Sequence, residues 1–292
     1  MTSAALVHVI LSGLATGCIY ALMAISLVII YNATRTLNFA QGEMLMVSAF
    51  VGWAAHRALG LPPIVVLAVA VVTGAALAWV VERAIIRHAI SATHFDVLII
   101  TLGLSLILRA AAGIVWTHDE FPFPSFFGDR PVNLGPLRVA PVSLGIIGAS
   151  LALMAALYVL FTRTRLGRAM RAVAQNQGAA RLMGISVERV YSASWVLAGV
   201  VGAIAGVLVA PVIFLSSKMG LIVIAGFTAA VIGGFGSMPG AVLGGMLLGV
   251  IENLAPLYLP AGIKYSVPVL LLIGILMVRP GGLLGRVEQR KV

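Results

Sequence analysis

No Asp, Glu, Lys or Arg occurs before Arg35. From Ala4 to Tyr31 the chain is almost continuously apolar, and runs of the same character recur to its far end. This feature constrains the fold more than any motif. About 20 residues of apolar helix cross the hydrocarbon core of a bilayer. In lipid every backbone N–H and C=O must be paired within the protein, so such runs fold as helices or as strands of a closed barrel. The short alternating segments of a barrel are absent. Composition argues against a water-facing globule, because 61% of residues are hydrophobic and only 10% charged, against about 25% charged in a soluble domain. Mean hydropathy is +1.11. The sequence predicts an all-α polytopic membrane protein.

Nine apolar segments can be drawn, at 4–31, 38–55, 61–81, 97–116, 140–161, 191–215, 220–235, 240–256 and 264–279. About 8–9 transmembrane helices are therefore expected, some short or broken. The first would be about 42 Å long as a helix, so it must tilt or extend past the core. It is too long for a signal peptide and reads as a retained first helix. The last three are short and glycine-rich. No separate soluble domain is expected, and residues 1–292 read as one membrane domain.

Charge orients the chain. The loop 162–190 carries Arg163, Arg165, Arg168, Arg171, Arg181 and Arg189, and the tail carries Arg279, Arg286, Arg290 and Lys291. Both are expected on the cytoplasmic side. The segment of about 117–139, with Asp119, Glu120, Asp129, Arg130 and Arg138, reads as external. Nine crossings place the N-terminus outside and the C-terminus inside; if 38–55 does not cross fully, the N-terminus flips. The net charge of +10 is explained by these basic loops, so no nucleic-acid partner is expected.

Few residue types are available for chemistry. Cys18 lies inside an apolar run, so neither a disulfide nor redox chemistry is expected. The five His residues are scattered without metal-ligand spacing, so no metal is expected. Gly233 to Gly240, GGFGSMPG, lacks the Lys-Ser/Thr ending of a phosphate loop and reads as a break between short membrane segments. No Walker A sequence occurs. No catalytic arrangement such as Ser/His/Asp or paired carboxylates appears, so an enzyme is not expected.

Polar residues at membrane depth remain. Arg35 to Met46, RTLNFAQGEMLM, interrupts the apolar pattern with Asn38, Gln41, Gly42 and Glu43. One reading is a helix restart, with Asn38 as N-cap, Gln41 completing a capping-box-like pair and Glu43 at the positive end of the dipole. The other is a substrate pathway, since polar groups at that depth face the protein interior or a cavity. Both hold if a broken helix end lines a path. Arg109 and Glu252 also lie within apolar runs. Arg109 is expected to snorkel to an interface; the sharper alternatives are an ion pair with Glu252 or contact with substrate. The four-residue pairs Gly13/Gly17, Gly202/Gly206, Gly240/Gly244 and Gly245/Gly249 predict close helix packing. A repeat relating 38–43 to 233–240 is too weak to count.

The loop 162–190 is basic and helix-forming. Leu166, Met170, Val173 and Gln177 share one face, and Leu182 and Met183 follow before Gly184. It could lie on anionic lipid. Its alanines (Ala172, Ala174, Ala179 and Ala180), with no Trp or Phe, favour docking into a partner's groove. In the external segment, Phe121, Phe123, Phe126 and Phe127 are expected to cap the bundle.

Three stretches together resemble the branched-chain amino acid ABC-importer permeases, in particular the shorter of the two permease subunit types. SGLATGCIYALMAISLVIIYNATRTLNFAQGEMLM is similar to the family's N-terminal signature. GRAMRAVAQNQGAARLMGISVERVYSASWVLAGVVGAIAGVL is similar to its cytoplasmic coupling segment and the following helix. GFTAAVIGGFGSMPGAVLGGMLLGVIENLA and VRPGGLLG resemble its C-terminal region. The resemblance implies an ABC-importer permease fold in a bacterial inner membrane. It implies a second related permease, two ATPase subunits that bind ATP and Mg, a periplasmic substrate-binding protein, and no cofactor on this chain. The coupling segment, about 163–190, carries over as Gly167 to Gly184, including Arg168, Arg171, Ala172, Ala179 and Leu182. Asn38 to Glu43 carry over as an element without individual roles. A charge at Arg109 departs from the family pattern, which leaves the substrate open among branched-chain amino acids, urea, short amides and aromatic acids. A secondary transporter or channel working without ATPases is the rival reading.

Overall fold

The computed structural model describes residues 3–89, 94–128, 131–134, 137–260, 266–279 and 281–285. Each of the nine predicted apolar segments contains a helix: α1 (Ser3–Thr34), α2 (Gln41–Leu59), α3 (Pro63–Val81), α5 (His94–Trp116), α6 (Pro141–Arg163), α9 (Val187–Ile213), α10 (Ile222–Gly233), α11 (Met238–Tyr258) and α12 (Val267–Val278). A π-turn, Glu82–Ile86, and one further α-turn, α4 (Arg87–Ala89), continue α3. Two short helices, α7 (Arg165–Gln175) and α8 (Gln177–Leu182), fill the basic loop. The strands β1 (Val132–Leu134) and β2 (Leu137–Val139) form a small antiparallel hairpin, the one departure from an all-α fold among the described residues. Six of the described helical stretches are long and apolar enough to cross a membrane, while α10 and α12 are apolar but shorter. The calls on Asp129, Arg130, Arg286, Arg290 and Lys291 lie outside the described residues, as does the side chain of Arg138.

The first helix is apolar all round because it is buried all round. Cys18, Leu22, Val28 and Ile30 sit at its centre with almost no exposed surface, and α6, α9, α10 and α11 pack about it. The glycine pairs supply the contacts. Gly17 of α1 lies against the Met246 backbone of α11, where an added Cβ would come within 2.8 Å of its Cα. Gly245 and Gly249 face Ala21 and Gly17 in return, Gly240 and Gly244 face α10 at Gly233 and Ala229, and Gly206 faces Leu45 of α2. Close backbone approach, rather than side-chain interdigitation, holds these helices together. One contact was not foreseen: Gly74 of α3 meets Gly199 of α9 backbone to backbone. Neither belongs to a four-residue pair.

The two ends of the bundle differ. At one end, Arg35 Nη2 donates to the Ala174 carbonyl (2.7 Å) and Gln177 Nε2 to the Ala33 carbonyl (3.3 Å), fixing α7 and α8 beneath α1. The Gly233–Gly240 break lies there too. Gly234 and Gly236 adopt φ of 101° and 96°, Ser237 Oγ caps α11 through the Gly240 N–H (3.1 Å), and Asn32 Nδ2 donates to the Gly236 carbonyl (3.0 Å). Residues 281–285 close over it, with Leu283 and Leu284 N–H groups donating to Ile232 and Gly233. At the other end Phe121 and Leu215 exchange backbone hydrogen bonds (2.8 and 2.9 Å), and Trp53 Nε1 donates to the Pro122 carbonyl (3.1 Å). Phe121 and Phe123 pack inward, as the capping expectation requires; Phe127 lies over Gly145.

Segment 38–55 differs from a simple crossing. Arg35, at φ 57°, ends α1. The chain then turns back into the bundle through irregular backbone and a turn at Phe39–Ala40 before α2 begins at Gln41. Gln41 Nε2 donates to the Ala198 carbonyl (2.9 Å). Ala198 lies about 16 Å along α9 from its Val187 start, so α2 begins near mid-depth and only its helical part reaches the far end. Arg35 to Ala40 covers the remaining depth without helix.

Candidate functional site

Two helices that begin inside the bundle start against each other. The chain descends from the far end through Leu215–Lys218 and a short 3₁₀ turn, Met219–Leu221, before α10 begins. Gly42 and Gly220 meet backbone to backbone, and a Cβ at Gly42 would overlap the Gly220 carbonyl oxygen. Phe39 and Phe227 pack alongside at 6.0 Å between ring centroids. The N-termini of α2 and α10 thus converge at mid-depth while their bodies run to opposite ends. Helix N-termini carry partial positive charge. The partner of 38–43 is accordingly 218–222, while the 233–240 break, whose likeness to 38–43 was too weak to count, lies at the end of the bundle.

At this point Asn38, Gln41 and Glu43 are buried to about 1% exposure or less. Asn38 is not the N-cap of α2. That position belongs to Ala40, whose N–H donates to Asn38 Oδ1 (3.1 Å). Asn38 Nδ2 donates to Gln41 Oε1 (3.1 Å), and Gln41 Nε2 goes on to α9. The two amides therefore bridge the restart to a neighbouring helix rather than satisfying α2's own N–H groups. Gly202 leaves the room that Gln41 fills.

Glu43 lies in the first turn of α2. Arg109 of α5 forms an ion pair with it, donating through both Nε (3.0 Å) and Nη2 to the single oxygen Oε1. Glu43 Oε2 is buried against Gly220 without a hydrogen-bond partner. Arg109 thus departs from two of the three readings given for it: its guanidinium is engaged by Glu43 rather than snorkelling or pairing with Glu252, which leaves contact with substrate as the third. Turning inward is favoured because Glu43 offers it a full opposite charge at the same depth. Its side chain remains 36% exposed on the flank of the bundle.

Glu252 stands apart. It is buried on α11 beside Tyr20 of α1. The structure therefore unites Asn38, Gln41, Gly42, Glu43 and Arg109, and separates Glu252 from them.

The basic loop also folds differently in detail. Thr164 Oγ1 caps α7 through the Gly167 N–H (3.0 Å), and Asn176 Oδ1 caps α8 through the Ala179 N–H (3.0 Å). Gly167, Met170 and Val173 pack inward, with Gly167 against the Leu160 and Phe161 backbone. Leu166, expected on that face, is exposed instead. Ala172 is half-buried and Ala180 buried, so the outward surface is not the alanine face but Arg168, Arg171, Ala179, Leu182, Met183 and Gly184. Leu182 is 91% and Met183 82% exposed, an apolar knob held by the Gly184 turn at φ 80°.

One polar cluster escaped the sequence reading. Glu82 in the π-turn accepts from Arg87 Nε and Nη2 (3.1 and 3.0 Å) and from Ser192 of α9 (2.7 Å). The legible signal was a Glu and an Arg five residues apart at the end of an apolar run, a spacing that does not share a face in a regular α-helix.

The comparisons with known proteins agree with this architecture. The family model described as the permease component of the branched-chain amino acid transport system matches residues 9–278. The high-affinity branched-chain amino acid transport system permease protein LivH of Salmonella typhimurium is 32% identical over 96% of each chain. BraD of Pseudomonas aeruginosa, described likewise, is 31% identical over 97% of each. The ribose import permease protein RbsC of Escherichia coli is 28% identical over 80% of this chain and 73% of its own. Among solved structures, PsaBC from Streptococcus pneumoniae in complex with Fab has a TM-score of 0.51 at 16% identity, covering 91% of this chain and 89% of that one, a likeness of fold alone. With a family match over nearly its whole length and relatives above 30% identity, this chain belongs to the branched-chain amino acid transport system permease family.

Proposed function

We propose that this chain is the membrane-spanning permease subunit of an ABC importer for branched-chain or related amino acids, working in a bacterial inner membrane. It pairs with a second, related permease. Two ATPase subunits dock on the end that carries α7 and α8, and a substrate-binding protein delivers solute at the end capped by Phe121 and Phe123. The N-terminus is then outside and residues 281–285 cytoplasmic, since Arg-rich segments stay inside. The exposed Leu182–Met183 knob, in a segment that also exposes Arg168, Arg171 and Arg181, suits a groove in an ATPase better than lipid, because no aromatic residue anchors it at the membrane surface.

The observation that carries the reading is the Glu43–Arg109 pair at the meeting of two helix starts. A guanidinium left partly open on a flank at membrane depth costs about 3 kcal/mol against lipid. It needs an aqueous path or a second protein beside it. Irregular backbone at that depth, as at 36–40 and 214–221, is likewise tolerated where it lines a cavity or is buried in protein. Asn38, Gln41, Gly42, Glu43 and Arg109 are the pathway candidates; Glu252, away from them, serves the α1–α11 contact.

The test is a pull-down from native membranes in mild detergent, with R171A and G184A alongside. Two ATPases and a second permease should be recovered with the wild type and lost or diminished with the variants. A chain that comes out alone and still moves solute in vesicles would leave the secondary transporter as the better reading.

A further inference from the structure

The π-turn Glu82–Ile86 has a specific consequence. In an α-helix, residues five apart lie about 140° apart around the axis and do not meet. In a π-turn the ladder closes five residues on, and here the Arg87 N–H donates to the Glu82 carbonyl. The side chains follow the backbone. Arg87 grips the Glu82 carboxylate through Nε (3.1 Å) and through Nη2, which reaches both oxygens (3.0 and 3.2 Å). Ser192 of α9 closes the ring: its hydroxyl accepts from Arg87 Nη2 (2.7 Å) and donates to Glu82 Oε2 (2.7 Å). Glu82 is buried, with both oxygens satisfied. The extra residue of the π-turn is what places Glu82 and Arg87 on one side, facing α9.

The position of this ring gives it a role. Ser192 lies one turn after Glu188 of α9, and Glu188 is paired with Arg181 of α8 (3.0 Å). The Ile185 N–H donates to the Ala180 carbonyl (3.0 Å), which closes the end of α8 two residues before α9 begins, and both α7 and α8 pack against α9. On the other side, α3 packs along α9 at Gly74 and Gly199 and against α2 at Val66 and Gly52. The α2 helix carries Gln41 and Glu43. The ring is the polar junction between the outward-facing basic segment and the helix layer that holds the mid-depth pair.

We infer that Glu82, Arg87 and Ser192 form a fixed link that makes the end of α3 move as one body with the base of α9, so that displacement of α7–α8 reaches α2 and the Glu43–Arg109 pair. These are positioning residues and touch no substrate. The inference rests on the permease reading above. A multi-bonded ring with a buried carboxylate resists separation, because opening it strands that charge.

The test uses the whole importer in proteoliposomes, with uptake and ATP hydrolysis measured together. If the wild type shows no ATP-dependent uptake, the permease reading itself falls, and the link with it. With a working wild type, S192A and E82Q should leave the complex intact and ATP turnover within about twofold, while solute moved per ATP drops about fivefold or more, the scale of a cut coupling element. S192T, which keeps the hydroxyl, should hold the ratio within about twofold of the wild type. A ratio unchanged in S192A overturns the link, even where E82Q fails to assemble. Uptake and hydrolysis falling in proportion overturns it, and so does an S192T variant as uncoupled as S192A, since the hydroxyl would then not be what holds the link.

Discussion

Two carboxylates in this chain are buried to about 1% exposure, each paired with an arginine, and they are built in opposite ways. Glu82 uses both oxygens and is held by Arg87 and a serine from a second helix. Glu43 uses one oxygen, and the other is buried without a partner. Glu82 sits at the end of the bundle, Glu43 at mid-depth where two helices start. Buried polar groups are nearly always satisfied, so an exception at a charged group asks for a physical reason. A fully bonded ring is suited to transmit force without changing. A half-bonded pair is suited to change partners.

The largest effect should come from closing the space beside Glu43. A Cβ at Gly42 would overlap the Gly220 carbonyl, and both are backbone atoms that cannot swing aside. Overpacking usually costs about 1–3 kcal/mol, and a backbone collision at the junction of two helix starts should exceed that. G42A should reduce folded, detergent-extractable protein to about a tenth or less. Normal accumulation of G42A would show that α2 and α10 do not start against each other.

E43Q comes next. It removes the charge opposite Arg109, and an uncompensated charge at that depth costs at most about 3 kcal/mol on insertion scales. The 36% exposure of Arg109 lessens this. Uptake should fall by about 10- to 100-fold with assembly retained. N38A and Q41A should act in the same direction, more weakly. Three variants that transport normally would reduce the restart to a structural junction.

The double variant E43Q/R109Q separates folding from function. Replacing both partners of a buried pair is often close to neutral for stability, whereas breaking one is not. The double should therefore unfold thermally near the wild type and better than either single, yet remain transport-deficient. Recovery of transport in the double would mean that the pair only holds helices together, and Glu43 would then resemble Glu82.

Much of this was legible in the chain, and the limits have physical causes. The nine apolar segments each hold a helix because lipid leaves the backbone few other choices. The four glycine pairs mark helix contacts because i,i+4 spacing is a one-face pattern. RTLNFAQGEMLM stood out because polar groups in an apolar run are rare. What failed were pairings across the fold. Arg109 had two visible acidic candidates at comparable depth, and nothing local told Glu43 from Glu252. Asn38 fitted a cap by spacing, but Ala40 holds that position and Asn38 instead turns to Gln41. The alanines of the basic loop suggested an outward face, while burial of Met170 and Val173 turned Ala172 and Ala180 inward. Glu82 and Arg87 went unread because their spacing means nothing in an α-helix.

The finest discrimination comes from charge-preserving changes, R109K and R87K. Lysine keeps the charge but offers a point donor where arginine offers a planar fork. At Glu82 the carboxylate would keep the Ser192 hydroxyl and lose the second arm, and Arg87 is already 31% exposed, so solvent screens the difference. R87K should lose less than about 1 kcal/mol of stability and reduce uptake by about twofold, through looser linkage. At Glu43 no hydroxyl stands in reserve. The ammonium introduced by R109K would have to reach a buried oxygen across the gap between α5 and α2 on one flexible arm. R109K should reduce uptake by about tenfold, roughly 1.4 kcal/mol. Parallel uptake assays and thermal midpoints on the two variants decide it. Should R87K prove the more damaging, the ring at Glu82 would be the element that changes during transport, and the mid-depth pair the one that stays fixed.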